Sequence, residues 1–507
     1  MKRILYALSA LLAVLLSPSV QAGDWFKVES DHFIVRSNGS EQEVQDDVRQ
    51  LEAFRYLSLM LLGANLNDAP AQVKFEIYML KKRSELLTVR PYFSENVAGV
   101  YLPCAEGATA YSTLERRDWR QGADQARAIL FHEYTHHLMF QYGRVLYPQW
   151  YVEGFAEYMS TARVEDGRIV LGDRAMARSE TLNEDRWLSF DQVLKPSFNA
   201  GSDKNGDASA LLSLYAQGWL LSHYMLNDSE RTRKLNDYFV RIGQGEDPVA
   251  TFESATGIAL STLPRLLKSY SRNLPALRVS FKDMPSVNLK LEALPDTLDE
   301  DLLQASVLKT CPAKAQGEAI LAQLRAHNAK GSLPEQRLAL ARAEILFGNT
   351  QAAFDMFEAH GAEDEASFEA HYLRGRALMT NADQLRGDAG NDMVLQARAE
   401  FLKAYRLKKL DAPNLYFLAR SLAIDGPGKN VLNAARGARA LAPTVPAYAL
   451  EEAYLDLAVG DRDKAANALT PLASDPHDPK DAARMRSVIE AIKAGKSLDE
   501  VMRMLSE

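Results

Sequence analysis

The sequence predicts an α+β domain followed by an all-α array of helices, preceded by a short leader. Three observations predict it. Apolar residues alternate in short runs between residues 25 and 113, as strands require. Helix-period runs, one crowded with histidine, fill most of residues 123–273. From Asp301 onward the chain is rich in alanine and leucine at helical spacing, with a loose internal repeat. At 507 residues the chain is too long for one core. Its 47% apolar and 25% charged residues are those of a folded soluble protein. The formal charge of −8 disfavours a nucleic-acid partner, which needs a basic face.

The first residues read as a secretory signal. Lys2 and Arg3 precede the apolar run Ile4–Leu16, and Ser17–Ala22 offers a site for cleavage after Ala22. The run is shorter than the ~20 residues a spanning helix needs, and no other apolar run reaches that length. The expectation is an exported chain, periplasmic or secreted, with no transmembrane segment after Gly23. Cys104 and Cys311 either pair, as an oxidising compartment allows, or stay as buried thiols. Their spacing does not decide between the two.

The elements follow in order. "WFKVESDHFIVR" (25–36) reads as two strands, and 41–62 as a helix with Val44, Val48, Leu51, Phe54, Leu57 and Leu61 on one side. "VKFEIYML" (73–80) is a strand, and "VAGVYLP" and "ATAYSTLE" are two more, joined by a turn at Glu106-Gly107. After the histidine helix comes a hairpin, "RVEDGRIVLG", turning at Asp166-Gly167. "LSFDQVLKP", "ASALLSLYAQGWLLSHYML" and "TLPRLLKSYSRN" are helical by period. Residues 276–300 hold two strand-like pieces, "ALRVSF" and "VNLKL", among prolines, and read as a connector or a small β element. In the last region, 301–507, Ala353 and Phe357 recur in form as Ala465 and Leu469, each alanine five residues after a glycine. Small residues let paired helices approach and large ones fill the gap. The pattern resembles tetratricopeptide (TPR) repeats, with an insertion near 381–393.

The chemistry lies in "AILFHEYTHHLMF" (128–140), which holds three of the nine histidines. His132 and His136 are one helical turn apart on one face, able to grip one cation. Glu133 sits beside them, completing H-E-x-x-H. Zinc would need a third protein ligand and leave a fourth position open. "QWYVEGFAEYMS" (149–160) begins another helix and offers Glu153 as that ligand. Gly154 would let the two helices approach closely. Glu157, a turn on, is placed to accept the second N–H of a ligand histidine. His137 points about 100° away from His136 and reads as a packing residue.

This constellation resembles the gluzincin (peptidase MA-like) metallopeptidases, the group of thermolysin and aminopeptidase N. The resemblance implies a thermolysin-like zincin domain over residues 23–275, with one Zn²⁺ per chain held by His132, His136 and Glu153 and with Glu133 as general base. Tyr215-Ala216-Gln217-Gly218 matches the group's Tyr-x-x-Gly helix start, so Tyr215 inherits the role of oxyanion donor; His223 is the alternative donor. The Gly-x-Met-Glu-Asn segment of the aminopeptidases is missing, and Glu106 is not read as an amine clamp. Endopeptidase action on peptide or protein substrates is therefore expected. The repeats are expected to hold substrate or a protein partner, or to cover the cleft. The rival reading is a non-catalytic, TPR-type binding or scaffold protein of the cell envelope with a structural or inactive metal site.

Overall fold

A computed structural model describes residues 22–64, 73–93, 97–115, 125–142, 147–165, 167–184, 187–195, 204–327, 333–385, 388–475 and 478–506. Residues 1–21 of the signal segment and Asp166 of the hairpin turn lie outside them. No helix among the described residues is long and apolar enough to cross a membrane.

In chain order the first part runs β1 (Ala22–Glu29), β2 (Phe33–Ser37), α1 (Glu41–Leu61), β3 (Phe75–Leu80), α2 (Leu86–Val89), β4 (Gly99–Cys104) and β5 (Gly107–Thr113). It continues with α3 (Gln125–Tyr142), α4 (Gln149–Ser160), β6 (Arg163–Glu165), β7 (Arg168–Leu171), α5 (Met176–Asn183), α6 (Phe190–Val193) and α7 (Lys204–Leu226). Then come α8 (Ser229–Gly243), α9 (Pro248–Thr256), α10 (Leu263–Tyr270), β8 (Leu277–Ser280) and β9 (Lys290–Pro295). The main sheet has the order β4-β5-β3-β2-β1-β9. Its centre, β2-β3-β5, is parallel, and β4, β1 and β9 are antiparallel to their neighbours. It is the small mixed sheet that the strand patterns predict.

Strand alternation divides the buried residues of this sheet between two cores. Phe75, Ile77 and Met79 of β3 point to the core that contains Val44, Leu51 and Phe54 of α1 and Phe131 and Leu138 of α3. Tyr78 and Leu80 point the other way, with Trp25 and Tyr111, onto Leu303, Val307, Ile320 and Leu324. Those last residues belong to α11 (Leu302–Leu308) and α12 (Lys314–His327), which open the helical region. The sheet and the helical region therefore share a core.

Of the two readings of the segment 276–300, the structure shows the β element rather than a plain connector. β8 pairs with β7, making the three-stranded sheet β6-β7-β8, and β9 pairs with β1 at the edge of the main sheet. The second strand also begins three residues later than "VNLKL" suggests, at Lys290. The prolines punctuate these strands rather than a free linker.

Beyond α12 follow α13 (Pro334–Phe347), α14 (Thr350–Ala359), α15 (Gly361–Asp364), α16 (Phe368–Gln384), α17 (Asp388–Leu407), α18 (Ala412–Leu422) and α19 (Lys429–Leu441). The chain ends with α20 (Pro446–Ala458), α21 (Arg462–Ala473), α22 (Pro479–Lys493) and α23 (Leu498–Ser506). Successive helices pack pairwise, α12 on α13, α16 on α17, α18 on α19 and α20 on α21. The small and large residues of the repeat pattern, Ala353, Phe357, Ala465 and Leu469, are all buried.

The β4–β5 hairpin ties the two regions together. Cys104 and Cys311 form a disulfide with Cα atoms 5.8 Å apart. Glu106, in the hairpin turn, accepts from Arg342 on α13 (2.6 Å), from Arg376 Nε on α16 (2.9 Å) and from the Tyr372 hydroxyl (2.8 Å). Arg342 also reaches Glu369 at 2.7 Å. Burial opposes ionisation of Glu106, but Arg376 and Arg342 outweigh it and hold its pKa at about 2. The Tyr448 hydroxyl on α20 donates to the Ala105 carbonyl at 2.9 Å.

Candidate metal centre

Helix α3 buries Phe131, Tyr134 and Leu138 against α1 and the sheet, with the Phe131 and Phe54 rings stacked 3.9 Å apart. Its opposite face carries His132 and His136 toward α4, on which it packs. Every residue of α4 from Gln149 to Met159 is buried, so Glu153 enters an apolar interior with no exposed side-chain surface. A carboxylate there is costly unless a positive group faces it.

Three side chains meet at this point. His132 Nε2 and His136 Nε2 lie 3.0 Å apart. Glu153 Oε2 is 3.3 Å from His132 Nε2, and Oε1 is 3.7 Å from His136 Nε2. Among the described residues, these are the group of three that could hold a metal ion. Neither Glu153 oxygen has a hydrogen-bond partner there.

The donor set fits zinc. Nitrogen and carboxylate ligands bind it at about 2.0–2.2 Å in a tetrahedron, whose edges are then about 3.3–3.6 Å long. The three separations, 3.0, 3.3 and 3.7 Å, straddle that edge. A buried carboxylate with two unused oxygens is what a cation of this size would satisfy.

Glu157 lies where the helix period puts it. Its Oε1 is 3.5 Å from His132 Nδ1 and accepts from Arg178 on α5 at 2.6 Å. Burial would raise the Glu157 pKa, but the Arg178 hydrogen bond and charge win and lower it. Burial likewise works against a protonated His132, but Glu153, followed by Glu157 and Glu133, outweighs it and raises the pKa to about 9. Glu133 itself is half-buried.

Arg178 is the residue that sequence reasoning missed. It comes to Glu157 from α5, which packs on α7. No local pattern around "MARSETLN" marks it.

Tyr215 also reaches the site. Its ring lies under the Arg178 guanidinium, 5.2 Å from Cζ to centroid. Burial and then the negative charge of Glu153 push its phenol well above the ordinary range, with Glu157 and Glu133 adding to this. The hydroxyl therefore remains a proton donor at any physiological pH.

Two glycines position it. A methyl on Gly154 would overlap the Gly218 backbone, and one on Gly218 would sit 2.5 Å from the Trp150 carbonyl oxygen. Gly154 thus serves the contact of α4 with α7, not the contact of α4 with α3 that its place in the motif suggests. The Gly of Tyr215-x-x-Gly218 has the same origin: α7 must cross α4 at contact distance for a tyrosine one turn earlier to face Glu153.

His223 is not available as a donor to the site. Its Nε2 lies 2.7 Å from the Gly172 carbonyl oxygen and its Nδ1 2.8 Å from the Tyr270 hydroxyl. His137 packs between Tyr134 and Phe75, and burial, then Arg55, lowers its pKa to about 4.

Neither a family model nor a curated protein matches the chain. A solved structure of partly similar shape is a thermophilic TPR protein of Thermus thermophilus, at 20% identity, a TM-score of 0.32, and coverage of 37% of this chain and 97% of that one.

Proposed function

We propose that the chain is an exported, zinc-dependent metallopeptidase of the gluzincin kind, with the sheet and α3–α4 as a thermolysin-like catalytic domain. The observation that carries this reading is the buried Glu153 carboxylate, without hydrogen-bond partners, facing the two imidazoles of H-E-x-x-H. The Cys104–Cys311 disulfide supports an oxidising compartment, periplasmic or extracellular.

His132, His136 and Glu153 would hold the ion, which supplies a Lewis acid and an acidified water at neutral pH. Glu157, itself held by Arg178, lies 3.5 Å from His132 Nδ1, placed to accept its N–H and keep Nε2 free to ligate. Glu133 takes the proton of the attacking water and passes it to the leaving amine. The Tyr215 hydroxyl donates to the oxygen on which negative charge develops. The hairpin turn carries Glu106 into a charge cluster of its own, which removes it as a clamp for a substrate amino terminus and favours endopeptidase action.

Glu133→Gln tests this reading. Zinc content, measured on the purified chain, should stay at one per chain. Cleavage of an unfolded protein such as casein should fall about 10²–10⁴-fold, the contribution of a general base. Undiminished cleavage would remove Glu133 from the mechanism.

The stacked helix pairs favour a second reading: a TPR-like, non-catalytic binding or scaffold protein of the cell envelope, with the three ligands as a structural or inactive site. Zinc bound tightly, with no cleavage across a proteome-derived peptide library, would decide for it.

A further inference from the structure

A cleft of about 320 Å³ opens directly beside Glu133 and His136. Tyr101 on β4 and Phe140 on α3 form one side of it, and Phe140 stacks against His136. The opposite side comes from the helical region: Thr444, in the α19–α20 turn, Pro471 and Leu472 at the end of α21, and Asp475 just after it. The Tyr101 hydroxyl and Thr444 Oγ1, 2.6 Å apart, join the two sides. β4 ends the strand order of the main sheet, so one backbone edge of Gly99–Cys104 has no strand partner among the described residues.

The helical region is held in this position from several directions. The β4–β5 turn lies against α13, α16 and α20, through Glu106 and Ala105. Ala105 and Ala108 pack on the core of the array itself. Inner helices of stacked pairs ordinarily present a binding surface to other molecules. Here the chain's own hairpin occupies α13, α16 and α20, and the disulfide holds it there.

We infer that the helical region works in cis: its α19–α20 turn and the end of α21 are the second wall of the substrate cleft, and they select an extended polypeptide with an apolar side chain next to the reacting bond. This rests on the peptidase reading, which supplies the occupant. The wall itself is carried by the interdomain geometry. The apolar preference follows from Phe140, Pro471 and Leu472, which offer no donor to a polar side chain and would desolvate it without compensation, while Asp475 on the same wall disfavours an acidic one. The unpartnered edge of β4 favours an extended chain, because it can hydrogen-bond a strand added beside it.

The test uses the full, zinc-loaded chain with Glu133→Gln, which retains all three ligands. Two fluorescein-labelled eight-residue peptides are compared by anisotropy, one with leucine at its centre and one with the uncharged, similarly sized asparagine there. The leucine peptide should bind at least ~10-fold tighter, as expected for transferring a leucine-sized side chain from water. Adding Thr444→Trp, whose indole fills the cleft from the helical side, should weaken that binding at least ~10-fold at unchanged zinc content and urea midpoint. Thr444→Ser should leave it unchanged. A benzoyl-phenylalanine in place of the leucine should photo-cross-link to residues 462–475. Equal affinity with and without Thr444→Trp, or cross-links confined to residues 99–140, would overturn the inference. If the parent chain binds zinc and cleaves peptides while Thr444→Trp has no effect, only the inference falls. If it binds neither zinc nor peptide, the peptidase reading falls and takes the inference with it.

Discussion

Glu153 and Glu106 are both buried carboxylates, and they are opposite cases. Glu106 is surrounded by donors: Arg342, Arg376 and Tyr372 occupy its two oxygens, and its pKa is held at about 2. Glu153 has two imidazole nitrogens at 3.3 and 3.7 Å and no hydrogen bond among the described residues. A buried charge that serves the fold satisfies itself within the fold. One that serves a ligand keeps its oxygens unused and pointed at one place. The difference separates a structural clamp from a candidate metal site where burial alone does not.

The sharpest way to break the comparison is Glu153→Ala. It should lower zinc content from one per chain to near zero, read by metal analysis after dialysis, and leave the Cys104–Cys311 bridge intact. Full zinc content in this variant would assign the third ligand elsewhere. Glu106→Ala should behave in the opposite way. It should keep zinc but lose about 3–5 kcal/mol of stability, because Arg376 remains buried without its carboxylate and Arg342 keeps only Glu369; urea unfolding measures this.

The same clamp gives a pH dependence with a definite sign. The Glu106 carboxyl sits at about 2 when folded against an ordinary value of 4.5. Its stabilisation is therefore complete above about pH 4.5 and is lost as pH falls toward 2. Between those limits the parent chain should lose more stability than Glu106→Gln. Equal losses would mean the clamp does not act through charge.

Smaller effects sharpen the other side. Glu157→Gln should weaken zinc about 10–100-fold in competition with a chelator, because the orienting partner of His132 is lost. Gly218→Ala should cost about 1–3 kcal/mol by forcing α4 and α7 apart. It should reduce cleavage more than zinc binding, since Tyr215 moves with α7. A drop in zinc content larger than that in cleavage would place α7's role at the ligands instead.

Much of this was legible beforehand, for reasons particular residues make plain. The β3 alternation, the helical face of α1 and the i, i+4 pair His132–His136 are local periodicities, and local periodicity is visible in one dimension. Glu153 and Glu157 were legible because α4 follows α3 closely and carries them one turn apart. The Tyr215-x-x-Gly218 pattern could be matched, but the reason for its glycine could not be read. Three features were illegible: Arg178 at Glu157, β8 and β9 within the sheets, and Glu106 between two arginines more than 200 residues away. Each depends on segments distant in the chain meeting in space.

The sequence by itself determined most of the elements and the donor types: two imidazoles, a neighbouring carboxylate and an apolar helix with another carboxylate in it. Side-chain chemistry and helical period are properties of short stretches. Only the tertiary structure decided that Cys104 and Cys311 pair, that the sheet shares a core with the helices after it, and that the cleft beside Glu133 is walled by the end of the chain. Those outcomes depend on distances between segments hundreds of residues apart. Such distances arise from the packing of whole layers, which no local pattern encodes.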